Sequence, residues 1–179
     1  MFFKKTRTPE YQLAGDESAI IETSQGTIRV KLDCAGAPIH VANFCELSVM
    51  GFYDGLKFHR YVPGFVIQGG CPNTRDMTPE QVAAGQMGPD GQPGTGGPGW
   101  NIQEEFSTNP NNSHEDGALA MARSMDPNSA GSQFYFCLGP QHNLDSGYTV
   151  FGSTVEGLDV IGRLRAGDEI RHIKIVHEA

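Results

Sequence analysis

Arg60 is the residue of this chain best placed to do chemistry. It stands in FHRYVPGFVIQGG, residues 58–70, among Phe58, Tyr61, Val62, Phe65 and Ile67. A guanidinium carries five donors in a rigid plane and stays charged at any working pH. Arginine is rarely fully buried without a partner. Two readings are open: an arginine at a strand end paired with an acid on the rim, or a donor held against an apolar surface for use.

Other chemistries find little support. Ser132 lies in AGSQF, where Phe134 takes the place of the second glycine of a GxSxG elbow. Cys45 and Cys137 lie in apolar runs and read as inert core thiols. The six histidines show neither HExxH nor zinc-finger spacing, so no metal is expected. His59 is expected on the opposite side of the strand from Arg60, as a structural residue. GTGGPG, residues 94–99, matches GxGxxG letter for letter. No strand precedes it and no helix opens on it, so a tight glycine loop is expected and no dinucleotide or other cofactor. No carboxylate pair stands out for glycoside chemistry.

What remains is an apolar, aromatic surface with one arginine and two glutamines, Gln68 and Gln133. That set suits a reaction with no covalent step. Rotation about an X–Pro amide has a barrier of about 20 kcal/mol, set by amide resonance. A pocket that grips the proline ring and a donor that favours the twisted amide would lower it.

These residues need elements to position them. Alternation of Ile28, Val30 and Leu32 with polar neighbours predicts a strand over 27–33, after one over 19–23, with Gln25-Gly26 as the hairpin turn. Pro38 suits a first helical turn, the apolar stripe Val41, Phe44, Cys45 and Leu47 continues it, and Gly51 ends it. Two strands flank Pro63-Gly64. Residues 71–100 are rich in Gly, Pro, Asn and Asp; within them Thr78-Pro79-Glu80-Gln81 carries the signature of a short capped helix. Strands are expected over 117–122 and 132–138, with Gln133, Tyr135 and Cys137 on one face and Phe134, Phe136 and Leu138 on the other. A further strand starts at 148, with Gly152 as a place for a bulge. A second main helix over 155–164 and a last strand over 170–177 complete the chain.

The implied fold is mainly β: a closed eight-stranded antiparallel β-barrel capped by two α-helices. Residues 1–17 read as an N-terminal extension and 18–179 as one domain. The 179 residues carry a formal net charge of −8, which argues against nucleic acid as a partner. No run reaches the roughly 18 apolar residues of a membrane span, so no membrane association is expected. The four cysteines, 34, 45, 71 and 137, are far apart, and the first residues lack the apolar stretch of an export signal. A cytoplasmic protein with free thiols is expected.

With FHRYVPGFVIQGG followed by GTGGPGW, GALAMARSMDPNSAGSQFYFCL and NLDSGYTVFG, the chain resembles the cyclophilin family of peptidyl-prolyl isomerases from about residue 19 to 176. The resemblance implies that Arg60 is the catalytic arginine, with Phe65 and Gln68 beside it. Val66 matches a pocket position where the family often has Met, and Tyr135 falls where many members have Phe. It implies a substrate-binding strip at Ala122, Arg123 and Ser124, where Met125-Asp126 adds a residue, and an insertion at about 71–93 before the glycine loop. Gln133, Asn143, Leu144 and Tyr148 complete the implied site. Proline-containing peptides and folding proteins become the expected partners of a monomer without a cofactor. Asn143 stands where cyclosporin-sensitive members carry Trp, so weak cyclosporin binding is expected. A cyclophilin-type binding module or chaperone, with incidental isomerase activity, is the alternative, and a nucleotide-dependent enzyme a more distant one.

Overall fold

The computed structural model describes residues 5–178. The chain forms β1 (Glu17–Thr23), β2 (Gly26–Leu32), α1 (Pro38–Val49), β3 (Arg60–Val62), β4 (Val66–Gly69), α2 (Pro79–Ala83), β5 (Ala118–Met121), β6 (Phe134–Cys137), β7 (Val150–Glu156), α3 (Leu158–Arg163) and β8 (Ile170–His177). All pairings are antiparallel, in the order β3-β4-β6-β5-β7-β2-β1-β8.

The sheet curls into a half-barrel, and the expectation of full closure is corrected. Among the described residues no ladder joins the edge strands β3 and β8. The segment just before β3 instead meets the start of β8: Gly55 donates to the Ile170 carbonyl, Ile170 to Leu56 and Phe58 to Asp168, each at 2.8 Å. A single bridge, Lys57 with Glu169, lies between them. Beyond it Arg60 turns away to pair with β4, so the seam is stitched at one end only.

The interior is aromatic. Phe134 of β6 meets Phe44, Tyr53 and Phe58 in edge-on contacts with ring centroids 5.4–6.2 Å apart. Such contacts add to the burial energy of rings this large. Helix α1 packs against β8 and β7, and α3 against β2. At the start of α1 the Glu105 carboxylate accepts from the N–H groups of Ile39 and His40 at 3.1 and 2.8 Å. It thereby satisfies two of the donors a helix leaves free. At the other end Gly51, at φ +75°, donates to Ser48, and Phe52 donates to Leu47. This is the Schellman arrangement that only glycine adopts cheaply.

Two details differ from the sequence reading. The hairpin turn is Ser24-Gln25, because the Thr23 hydroxyl bridges to the Gly26 carbonyl and the Gln25 N–H, so Gly26 already pairs with Thr23. The helix expected from 155 starts at Leu158; β7 runs on to Glu156, and Gly157 at φ +96° makes the turn where a Cβ would lie 2.7 Å from the Thr27 carbonyl. Among the described residues there are three α-helices: beside the two expected as caps, α2 is the short helix expected from Thr78-Pro79-Glu80-Gln81, with Thr78 and Gln81 in a capping box. The bulge expected at Gly152 occurs beside it, with Phe151 left over between the Leu119–Gly152 and Ala120–Val150 pairs.

The N-terminal extension is docked. Residues 1–4 lie outside the described residues, but Thr6 bridges to Asn101, and the Arg7 guanidinium lies 4.2 Å above the Trp100 ring and pairs with Glu46. Tyr11 and Leu13 pack against the core.

Candidate active site

Strand β6 is buried on both faces. Phe134 and Phe136 point into the barrel, while Tyr135 and Cys137 join a second, smaller apolar cluster with Val66 of β4 and Ala118 and Ala120 of β5. That cluster lies on the outside of the sheet. Phe65, Ala122, Leu144 and Tyr148 complete it and leave an open cavity of about 510 Å³. This is the size of a small-ligand site.

Arg60 stands at the rim. It opens β3, pairs in register with Gln68 and is exposed, and among the described residues it forms no ion pair. The rim-pair reading of this arginine therefore lacks its partner, and the charge remains available. Of the residues picked from sequence, Arg60, Phe65, Val66, Gln68, Ala122, Arg123, Tyr135, Leu144 and Tyr148 line this cavity. Ser124 and Gln133 line an adjoining groove of about 580 Å³, which also runs along the glycine loop 94–99. Asn143 lines neither. It is exposed on the 3-10 turn His142–Leu144, whose three-residue period turns Leu144 inward and its neighbour to solvent.

The two glutamines hold structure rather than Arg60. Gln68 Nε2 donates to Gln133 Oε1 at 3.1 Å, and Gln133 Nε2 donates to the carbonyls of Gly94 and Gly96 at 2.9 and 2.8 Å. From the other side, Cys71 Sγ accepts from the Gly94 and Gly96 N–H groups at 3.2 and 3.4 Å. Asn73 ties the same loop to Gln92 and Thr95. Two of the loop's N–H groups are thus spent on a thiol, which leaves a poor cradle for phosphate.

Arg123 is pinned: Nε donates to the Gly147 carbonyl at 2.7 Å, and the guanidinium lies 4.6 Å above the Tyr148 ring. It brings a second positive charge to the cavity wall. No acid lines that cavity.

His59, Pro93 and Gly94 also line the cavity and were not picked from sequence. His59 was expected to face away from Arg60. It precedes the first residue of β3, so strand alternation does not govern it. Its Nδ1 is buried without a partner, and burial, followed by the Arg60 charge, pushes its pKa down to about 4. The ring is neutral at pH 7. Cys137 is inert, because burial pushes its thiol up to about 12. Elsewhere, at the β1–β8 edge, ligand atoms of Asp16, Glu17 and His177 lie within 4.8 Å of one another. The Glu17 oxygens there already accept from Ala14, Gly15 and Cys34, and His177 is bonded to Asp16.

The cavity is walled by apolar and aromatic side chains with two guanidiniums, a surface suited to gripping a peptide. Residues 18–178 match the family described as cyclophilin type peptidyl-prolyl cis-trans isomerase. A peptidyl-prolyl cis-trans isomerase of Synechococcus elongatus is 45% identical over 163 residues, covering 90% of this chain and 97% of that one. Peptidyl-prolyl cis-trans isomerase B of Bacillus subtilis is 40% identical over 148 residues, 83% and 90% of the two chains. Among solved structures, a Cryptosporidium parvum cyclophilin type isomerase superposes with a TM-score of 0.69 at 24% identity, over 91% of this chain and 99% of that one. The same protein, in the presence of the dipeptide Ala-Pro, gives 0.65 at 25% identity, over 90% and 99%. The chain belongs to the cyclophilin type peptidyl-prolyl cis-trans isomerases, and its activity is that of the family.

Proposed function

We propose that the chain isomerises X–Pro bonds without a covalent step, with the proline ring in the cavity of Phe65, Val66, Tyr135 and Leu144 and the Arg60 guanidinium as the donor that favours the twisted amide. One observation carries this reading: a permanently charged guanidinium, without an ion pair among the described residues, stands at the rim of an apolar cavity. As the amide twists, nitrogen becomes pyramidal and basic, and a fixed donor interacts more strongly with that state than with the planar one. Beside it, neutral His59 adds no competing charge. The Gln68–Gln133 pair contributes by fixing the glycine loop along which the peptide backbone runs, with Ala122, Arg123 and Ser124 on the other side.

The substrates are proline-containing segments of peptides and folding proteins. The protein acts as a monomer in the cytoplasm; its four free cysteines, three of them buried, support a reducing compartment. The insertion at 71–93 ends on Pro93 in the cavity wall and biases which peptides enter. Cyclosporin binds weakly, because Asn143 offers no flat aromatic contact. Exchange NMR on a short X–Pro peptide tests the central claim. Arg60→Ala is expected to lower turnover by about 10²–10³, the range for loss of one transition-state donor. Near wild-type turnover in that variant would remove Arg60 from the mechanism.

A further inference from the structure

The floor and the wall of the cavity come from different parts of the chain. Tyr135 belongs to β6; Leu144 and Tyr148 belong to the irregular segment between β6 and β7. One fully buried side chain from neither element joins them. His114, in the loop before β5, has no exposed surface. Its Nε2 lies 2.8 Å from the Tyr135 hydroxyl, and its Nδ1 lies 2.8 Å from Asp145 Oδ1. The two rings stack at 13° with centroids 5.9 Å apart.

Asp145 follows Leu144 directly, so holding its carboxylate holds the end of the 3-10 turn. The same oxygen also accepts the His114 N–H at 2.7 Å, and the His114 carbonyl accepts from Gln141 at 2.8 Å. Two residues earlier, Asn112 donates to the carbonyls of Asp145 and Tyr148 and accepts from Val150. Residues 112–114 thus clamp the cavity wall, and the imidazole extends the clamp to the floor.

The proton positions follow from the partners. An ionised carboxylate only accepts, so Nδ1 carries the hydrogen and Nε2 accepts from the Tyr135 hydroxyl. Burial holds the His114 pKa below its ordinary value, against the opposing effect of Asp145. At Asp145 burial acts upward, and the bonds from His114 and His142 outweigh it, so this carboxyl stays below its ordinary value. The titratable groups around the imidazole are Asp145 and His142 from the turn, Tyr135 from β6 and Glu115 next in the chain.

We propose that His114 is a positioning residue of the isomerase site: its neutral, Nδ1-protonated ring ties Tyr135 to the Leu144–Tyr148 segment through Asp145 and so sets the width of the proline pocket. The proposal rests on the isomerase reading of the cavity. It needs Tyr rather than Phe at 135, since only the hydroxyl reaches the imidazole. Protonation at low pH makes Nε2 a donor, so the tyrosine hydroxyl must turn round and find a new acceptor for its own hydrogen inside a buried site; KM of the wild type is expected to rise on acidification.

The test uses the full chain, kcat and KM from exchange NMR on an X–Pro peptide between pH 5 and 8, and hydrogen exchange at 141–149. His114→Phe is expected to raise KM about tenfold at pH 7 while kcat changes by less than about threefold, the split for lost ground-state and transition-state binding alike. Exchange at Leu144 and Tyr148 should accelerate. His114→Gln, whose amide can donate to Asp145 and accept from Tyr135, should recover most of the wild-type KM. Tyr135→Phe should raise KM and remove the increase that the wild type shows on acidification.

Wild-type KM in a folded His114→Phe variant would overturn the proposal. If that variant does not fold, wild-type KM in Tyr135→Phe at both ends of the pH range does so. Nitrogen-15 shifts of the imidazole and hydrogen exchange need no turnover. A chain without isomerase activity that still shows the Nδ1-protonated tautomer and the linked exchange would refute the reading of the cavity and leave the tie intact.

Discussion

Gln133→Glu isolates the glycine loop from the rest of the site. The substitution is isosteric and keeps Oε1, so the bond from Gln68 at 3.1 Å can persist. It replaces a donor that serves two carbonyls, at 2.9 and 2.8 Å, by a carboxylate oxygen facing both. Two hydrogen bonds of about 1 kcal/mol net each are lost, and repulsion at part-exposed positions adds a comparable amount, giving about 2–4 kcal/mol against the docked loop. The loop can lift away, so the global loss should stay below that sum. The expected signs are a fall in Tm of a few degrees, faster hydrogen exchange at 94–97, and KM raised about tenfold, one decade per 1.4 kcal/mol. Acid supplies the control. Below the ordinary Glu range, near about 4.3, the carboxyl regains one O–H and can serve one carbonyl, so exchange should slow again as pH falls. Loop amides protected as in the wild type at pH 7 would show that Gln133 does not anchor the loop.

Three further outcomes are expected. Gly96→Ala places a Cβ 2.6 Å from Asn73 Oδ1, so Asn73 must release Gln92 and Thr95; a stability loss of about 1–3 kcal/mol by urea denaturation is expected, and an unchanged midpoint would contradict the packing. Asn143→Trp adds a flat contact beside Leu144 and should tighten cyclosporin binding at least about tenfold by calorimetry, with an unchanged dissociation constant counting against that contact. His59 has a folded pKa of about 4 against an ordinary 6.5, so its contribution to stability is complete above 6.5 and disappears as pH falls toward 4. Unfolding midpoints should decline across that window, and His59→Gln should flatten the decline; equal slopes in both proteins would refute the assignment.

Much of this was readable from the residues because local signals agreed with the packing. The last strand was expected over 170–177 and is Ile170–His177, since β-branched residues alternate there without interruption. Helix α2 is five residues long and still announced itself, because Thr78 and Gln81 cap each other without help from the fold. The two faces of β6 also followed from alternation alone. What escaped depends on partners distant in sequence. The N-terminal segment has no period, and its path follows from partners distant in sequence, Asn101, Trp100 and Glu46 among them. His59 lies outside the strand whose alternation was applied to it. The role of Gln133 needed the carbonyls of a loop 39 and 37 positions away, and that of Gln68 needed Gln133 itself, 65 positions away. His114 carries no motif; its tie to Tyr135 and Asp145 exists only once β6 and the following turn are side by side.

Strand β6 divides its labour residue by residue. Phe134 and Phe136 answer to the fold, Tyr135 and Cys137 to the outer cluster from which the cavity is built. A saturation library across 134–137, sorted separately for cellular abundance and for isomerase activity, should therefore sort by parity: even positions limit how much protein accumulates, and Tyr135 limits what that protein can do. Peptide preference can drift by substitution at Tyr135 and at Ala122, Leu144 and Tyr148, which line the cavity outside the main core. A designer seeking new peptide specificity has, in this one strand, a map of which letters to vary and which to leave alone.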